Sequence, residues 1–224
     1  LITAEEREVV LLTLRVALLA VAGALPLAIL AAVVLSRRFP GRFLLHAGVH
    51  LPLMLPPVVT GWLLLLVFGA QGPVGALLWR VAHVRLVFTS AGAALACGVM
   101  VFPLMVRAIR LSLEAIDPEL IQAARTLGAH GLDRFFSITL PLAAPGVLTA
   151  AVLGYTASLG EFGAVITFAA SIPGQTRTLP LAIFSALETP GGEAAAARLA
   201  LMSVGLAVVG LLVAEWLAPR RVRG

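Results

Sequence analysis

The chain contains no lysine, since all sixteen of its basic residues are arginine. That absence removes the lysine of a phosphate-binding loop, a Schiff-base lysine and a lysine general base, so no ATP site of the usual kind is expected and the chain does not read as an enzyme. A single cysteine, Cys97, excludes a disulfide framework and a Cys-rich metal site. It lies inside an apolar run and reads as a small core residue. His46 and His50 are four apart but have no third ligand near them in sequence. Neither a metal nor a cofactor is therefore expected. Charge is also scarce, at 12% of residues where soluble domains carry about 25%. The net charge of +5 does not indicate a nucleic-acid partner, because the arginines sit between apolar runs and not on a basic face interleaved with aromatics.

What is present is hydrophobic residue, 60% of the chain, with a mean hydropathy of +1.04. This is a membrane composition. Crossing a hydrocarbon core of about 30 Å takes around 20 helical residues. Five stretches reach that length, at about Val9–Leu35, Leu51–Ala70, Ala91–Ile109, Leu142–Thr167 and Leu199–Leu217. The expected fold is an all-α membrane protein, one domain over residues 1–224 with five transmembrane helices in the lipid bilayer. Glu5, Glu6 and Glu8 before the first stretch, and its length, argue for a retained helix and against a secretory signal. Arg37, Arg38, Arg42, Arg107, Arg110, Arg125, Arg134, Arg220, Arg221 and Arg223 fall on one side of such a bundle, and Arg7, Arg15, Arg80, Arg85, Arg177 and Arg198 on the other. The richer side is expected to be cytoplasmic, with the N-terminus outside and the C-terminus inside.

The cytoplasmic loop of about residues 114–141 is the longest one. Asp117 followed by Pro118 reads as an N-cap with Pro at the first helical position, and Glu119 suits the positive helix end. Ile116, Leu120, Ala124 and Leu127 recur at helical spacing, predicting one apolar stripe, and Gly128 fits the C-cap. Gly131-Leu132-Asp133 is expected to turn the chain, with Asp133 capping a second helix that carries Phe135, Phe136 and Ile138 towards Leu140-Pro141. Helices this short are marginal in water. The apolar face must therefore pack on the bundle or on a partner.

Gln122, Ala123, Ala124, Arg125 and Gly128, followed by Ile138, Leu140 and Pro141, resemble the hallmark of the membrane subunits of type I ABC importers: Glu-Ala-Ala, three residues, Gly, nine residues, Ile, one residue, Leu-Pro. Gln122 stands where that family usually has Glu. The resemblance implies that these residues dock on a cytoplasmic ABC ATPase subunit, present in two copies, and that the chain pairs with a second copy of itself. It further implies an extracytoplasmic binding protein that delivers the cargo.

Leu51-Pro52-Leu53, Leu55-Pro56-Pro57-Val58-Val59, the run Phe102–Arg110 and Ser158-Leu159-Gly160-Glu161-Phe162-Gly163 look like the molybdate permeases of that family, with sulfate permeases as relatives. Ile172–Pro180 and Thr189–Glu193 resemble the loop before the last helix of the molybdate branch. Molybdate is thus the expected cargo, with tungstate or sulfate and thiosulfate as the alternatives. A dianion needs a polar route through the bundle. Glu161 reads as the one acidic residue well inside a stretch, which makes it a pathway or gate candidate with Ser158, Gly160, Phe162 and Gly163, and with Arg177 and Thr178 outside. A fixed carboxylate repels an oxyanion, so Glu161 is expected to pair with an Arg or with backbone amides, or to stay protonated, and not to ligate cargo. An ion-coupled carrier or an intramembrane enzyme built on Ser158 and Glu161 is the rival reading.

Overall fold

The computed structural model describes residues 3–217, and these are helical almost throughout. Arg220, Arg221 and Arg223, which the orientation argument counts, lie outside the described residues. Helix α1 (Ala4–Leu35) opens with a capping box, in which the Thr3 hydroxyl accepts from the Glu6 amide and the Glu6 carboxylate accepts from the Thr3 amide. At 1.5 Å per residue its 32 residues span about 48 Å. The twenty residues between Arg15 and Leu35 cover about 30 Å of that, a hydrocarbon thickness. The Glu-rich first turns therefore project beyond it.

Helix α5 (Ser90–Glu114) runs alongside α1, and α8 (Leu140–Leu159) packs on both. Small residues allow these helices to approach closely. A Cβ on Gly98 would come within 3.3 Å of the Ala20 carbonyl, and one on Gly154 within 2.8 Å of the Met105 sulfur. The core follows from that contact. Val21, Ala24, Ala28, Ala32 and Leu35 pack with Val101, Met105, Val106, Ile109 and Ala150. Pro26, Pro103 and Pro145 are accommodated inside these helices without ending them.

The stretch expected as one helix over 51–70 is broken. Helices α2 (Arg42–Met54) and α3 (Pro57–Phe68) meet at Leu55–Pro56 with a bend of 116°. Pro56 and Pro57 lack amide hydrogens, and Leu55, ahead of a proline, takes an extended conformation. Helix α4 (Pro73–Ala82) returns the chain to α5. The stretch 142–167 is broken as well, because α8 stops at Gly160 and α9 (Gly163–Ala169) starts after Phe162. Then come α10 (Leu179–Leu187) and α11 (Glu193–Leu217), a packed pair. Among the described residues four helices are long and apolar enough to cross a membrane, and five if α2 and α3 count as one bent span.

Two long-range contacts tie the ends of the chain together. Arg198 of α11 bonds Glu6 of α1 at 2.8 Å. The Thr13 hydroxyl of α1 accepts from the Leu179 amide at 2.8 Å and donates to the Val9 carbonyl at 2.7 Å, so a side chain of the first helix caps α10.

Candidate functional site

The loop between α5 and α8 begins with α6 (Pro118–Thr126). Its start follows the expected chemistry, as the Asp117 carboxylate accepts the Glu119 amide at 2.9 Å and Pro118 occupies the first turn. At its other end the amide of Ala129 bonds the Ala124 carbonyl at 3.0 Å and that of Gly128 the Arg125 carbonyl at 3.1 Å. These are the paired bonds of a Schellman motif, and they require the left-handed conformation that Gly128 adopts at φ +86°. Cap and motif fix both ends of a nine-residue helix that would otherwise fray.

The apolar positions of α6 form two faces and not the single stripe expected. Ala124 is buried and Ile116 and Ile121 are half-buried on the inner side. Leu120 and Leu127 point outward, Leu127 with 88% of its surface exposed. Stepping by three and four carries 120, 123 and 127 along one edge, so the small Ala123 lies between two exposed leucines. Gln122 and Arg125 flank that edge and are exposed. Of the residues matched to the family hallmark, Ala124 is the one turned inward.

Beyond Gly128 the structure corrects the expected turn. The chain reverses over Gly128–His130, and Gly131-Leu132-Asp133 already belongs to α7 (Gly131–Arg134). Asp133 lies inside that helix and accepts from the Ser137 hydroxyl at 3.0 Å, so it does not cap it. A π turn (Phe135–Thr139) then feeds into α8. Leu132 and Phe136 are exposed, while Ile138 and Leu140 are half-buried and Pro141 is exposed in the first turn of α8. Gly131–Leu159 forms a nearly continuous helical rod of 29 residues, about 43 Å long. One end of that rod is this loop and the other is the break before α9.

At the break, Glu161 is in no helix. Its carboxylate accepts the Ala164 amide at 3.0 Å, satisfying one of the free donors at the start of α9. Of the roles open to it from sequence, backbone-amide pairing is the one the geometry provides. The Ser158 hydroxyl donates back to the Gly154 carbonyl at 2.8 Å, and the Ser158 carbonyl lies 3.9 Å from the buried Cys97 sulfur. Phe162 rests on Phe184 of α10, with ring centres 5.1 Å apart. Gly160 is exposed, whereas Gly163 sits against α3, where an added Cβ would fall 2.7 Å from that of Pro57. Gly61 meets α9 from the other side, and a Cβ there would lie 2.7 Å from the Ala164 carbonyl. The two broken helices therefore cross through glycines, at a contact that an added methyl group would force apart.

Arg177 and Thr178 lie elsewhere, in the loop that follows α9. Arg177 bonds the Ser171 hydroxyl at 3.3 Å and reaches Glu5 at 4.0 Å. Thr178 is buried and precedes α10. The loop is held by Thr176, whose hydroxyl donates to the Ala170 carbonyl and accepts from the Ile172 amide, each at 2.9 Å. Sequence reasoning named Pro57 but passed over Thr60 and Gly61 on α3. The signal was available, because Thr60-Gly61 is the one small polar pair in an otherwise apolar helix, and the Thr60 hydroxyl is buried without a partner among the described residues. His46 and His50 stack at 4.2 Å, and His50 Nδ1 faces the His46 carbonyl.

At one end of a helical rod this arrangement sets an exposed apolar edge on α6, and at the other a close glycine crossing of α3 and α9. Residues 24–223 match the family described as binding-protein-dependent transport system inner membrane component. The chain is 52% identical over 219 residues to the molybdenum transport system permease protein ModB of Escherichia coli (strain K12), covering 97% of this chain and 96% of that protein. With the sulfate transport system permease protein CysT of Salmonella typhimurium it shares 39% over 161 residues, 71% of this chain and 58% of the relative. A crystal structure of a bacterial alginate ABC transporter, in complex with an alginate pentasaccharide-bound periplasmic protein, superposes with a TM-score of 0.77 at 17% identity, covering 99% of this chain and 81% of that one. At that identity the likeness speaks for the fold alone.

Proposed function

The chain belongs to the family of binding-protein-dependent transport system inner membrane components, and from that premise we propose that it is the membrane subunit of an ATP-driven importer carrying molybdate into the cell. The observation that carries the cargo is the 52% identity, over nearly the whole of both chains, to a molybdenum permease. Similarity to the sulfate permease is lower and covers less of either protein. The chain works as a homodimer with two ATPase subunits and an extracytoplasmic binding protein. Its N-terminus lies outside and its C-terminus in the cytoplasm, so the 114–141 loop faces the ATPase.

In this reading the ATPase grips the exposed edge of α6, where Ala123 admits close approach and Leu120, Leu127, Leu132 and Phe136 supply the apolar contact. Gln122 and Arg125 add hydrogen bonds at its margin, and Gly128 holds the helix end in place. Ala124 serves by keeping α6 seated. ATP-driven closure of the two ATPase subunits draws the loops together, and the rod of Gly131–Leu159 transmits the displacement to the Gly160–Phe162 break. There α9 and α3 shift on their glycine contact and the route alternates between inward-open and outward-open. Glu161 holds α9 together during the shift, since its carboxylate repels a dianion and is engaged with a backbone amide.

Uptake by the reconstituted complex, with molybdate, tungstate and sulfate in competition, tests the cargo. Molybdate and tungstate should compete with each other and sulfate should not. Preferred uptake of sulfate would overturn the assignment.

A further inference from the structure

Behind α6, on its inner side, is a cavity of about 310 Å³ that the transport reading does not use. It opens where the end of α1, the end of α5, α6 and the π turn converge, and by the liquid share of about 30 Å³ per molecule it would hold roughly ten waters. Its walls are of two kinds. Val33, Leu113, Ile116, Ile121 and Phe135 make one part apolar. Arg37, Arg134, Ser36 and Thr139 make the other part polar.

Arg37 and Arg134 line the cavity from different elements, and among the described residues neither has an ion pair or an acceptor for its side-chain donors. Of the carboxylates near them in sequence, three are engaged elsewhere, and the fourth, Glu119, is exposed on α6 and is not among the cavity's walls. Glu114 is shared by Arg110 at 3.1 Å and Arg42 at 3.7 Å, Asp133 takes the Ser137 hydroxyl, and Asp117 takes the Glu119 amide. The Ser36 hydroxyl is spent on the Ala32 carbonyl, so the donors left for a ligand are the ten guanidinium N–H groups and the Thr139 hydroxyl. Such a donor set suits a phosphate oxygen pair. The apolar walls suit what a free anion lacks, a glycerol and acyl stem.

We infer that this cavity binds the headgroup of an anionic phospholipid, its phosphate between Arg37 and Arg134 and its stem against Val33, Ile121 and Phe135. The site lies immediately after the 32-residue α1 and just before the exposed Phe39, Phe43 and Leu44, where a helix long enough to cross the hydrocarbon ends. Basic pockets between helices on the cytoplasmic side are a recurrent form of lipid recognition. Its consequence is mechanical. Inner contacts of α6 with the bundle are few, and a headgroup bridging Arg37 of the α1 end to Arg134 of α7 would tie the loop to the membrane helices. The inference rests on the proposed membrane location and orientation and not on the cargo.

The test is lipid retention by the purified, delipidated permease, measured by native mass spectrometry with phosphatidylglycerol, phosphatidylcholine or inorganic phosphate added. Phosphatidylglycerol should be retained in clear preference to phosphatidylcholine. R37Q and R134Q should each lower that preference about fivefold, and the double variant about 25-fold, taking each Arg at its usual worth near an anionic surface. R80Q, far from the cavity in sequence and on the opposite side, should leave it unchanged, and R37K with R134K should restore most of it if the double glutamine variant is unstable. Unchanged preference in either single variant would overturn the inference. Displacement of phosphatidylglycerol by inorganic phosphate would assign the cavity to a free anion and overturn it equally.

Discussion

Replacing Gly128 tests whether α6 acts as a formed helix. At φ +86° an L side chain costs about 1–2 kcal/mol relative to glycine, with Asn losing least because it tolerates the left-handed region. No atom lies within 4 Å of the position a Cβ would take, so the cost is conformational and not a clash. It falls on the two Schellman bonds, from Gly128 to Arg125 and from Ala129 to Ala124. A destabilisation of 1–2 kcal/mol lowers the ratio of capped to uncapped helix by a factor of about 5–30. If the ATPase binds the capped form alone, its dissociation constant should rise in Gly128→Ala by up to that factor, as the capped fraction falls, by more in the β-branched Gly128→Val and by least in Gly128→Asn. The assay is association of the purified ATPase with the permease in nanodiscs, with thermal melting of the permease as a control for folding. The order Val, Ala, Asn is the diagnostic result. Equal affinities for all three, or a loss that follows side-chain volume so that Asn is worse than Ala, would refute the argument from backbone conformation.

Gly163→Ala places a methyl group 2.7 Å from the Pro57 side chain; overpacking of this kind costs about 1–3 kcal/mol, so uptake should fall while membrane insertion and ATPase binding persist, and normal uptake would count against a moving α3–α9 crossing. Thr13→Val removes the acceptor of the buried Leu179 amide, which should destabilise the protein by about 1–3 kcal/mol in a detergent melt; an unchanged melt would mean that α10 finds another cap. Ala170, at φ 57° and ψ −174°, holds a backbone region that is nearly glycine-only and costs of order 1–3 kcal/mol, so Ala170→Gly should raise the melting temperature, and a fall would contradict the strain. Gln122→Glu should leave ATPase association intact and make it more salt-sensitive, as an added rim charge does; abolished binding would show that Gln122 is buried at the interface.

Much of this protein was legible along the chain. The apolar runs, the arginines between them and the pattern from Gln122 to Pro141 state the class of molecule, because hydropathy over 20 residues and the caps of a short helix are local properties. Asp117, Pro118 and Gly128 do in the structure what their types require wherever they stand. The rest depends on partners distant in sequence. Whether Leu120 or Ala124 faces inward is decided by what lies behind α6, since both fit the same helical period. The sharp bend at Leu55–Pro56 and the break at Gly160–Phe162 are stable because α3 and α9 cross through Gly61 and Gly163, about a hundred residues apart. The bond from the Ala164 amide to Glu161 is local, three residues along the chain, but only the fold brings Arg37 and Arg134 to one cavity. Composition and local pattern determine that the chain must be a helical membrane bundle, because each segment must satisfy its own backbone in lipid. Where those helices break, and which polar groups meet across the breaks, is decided by packing between segments that no local pattern can pair.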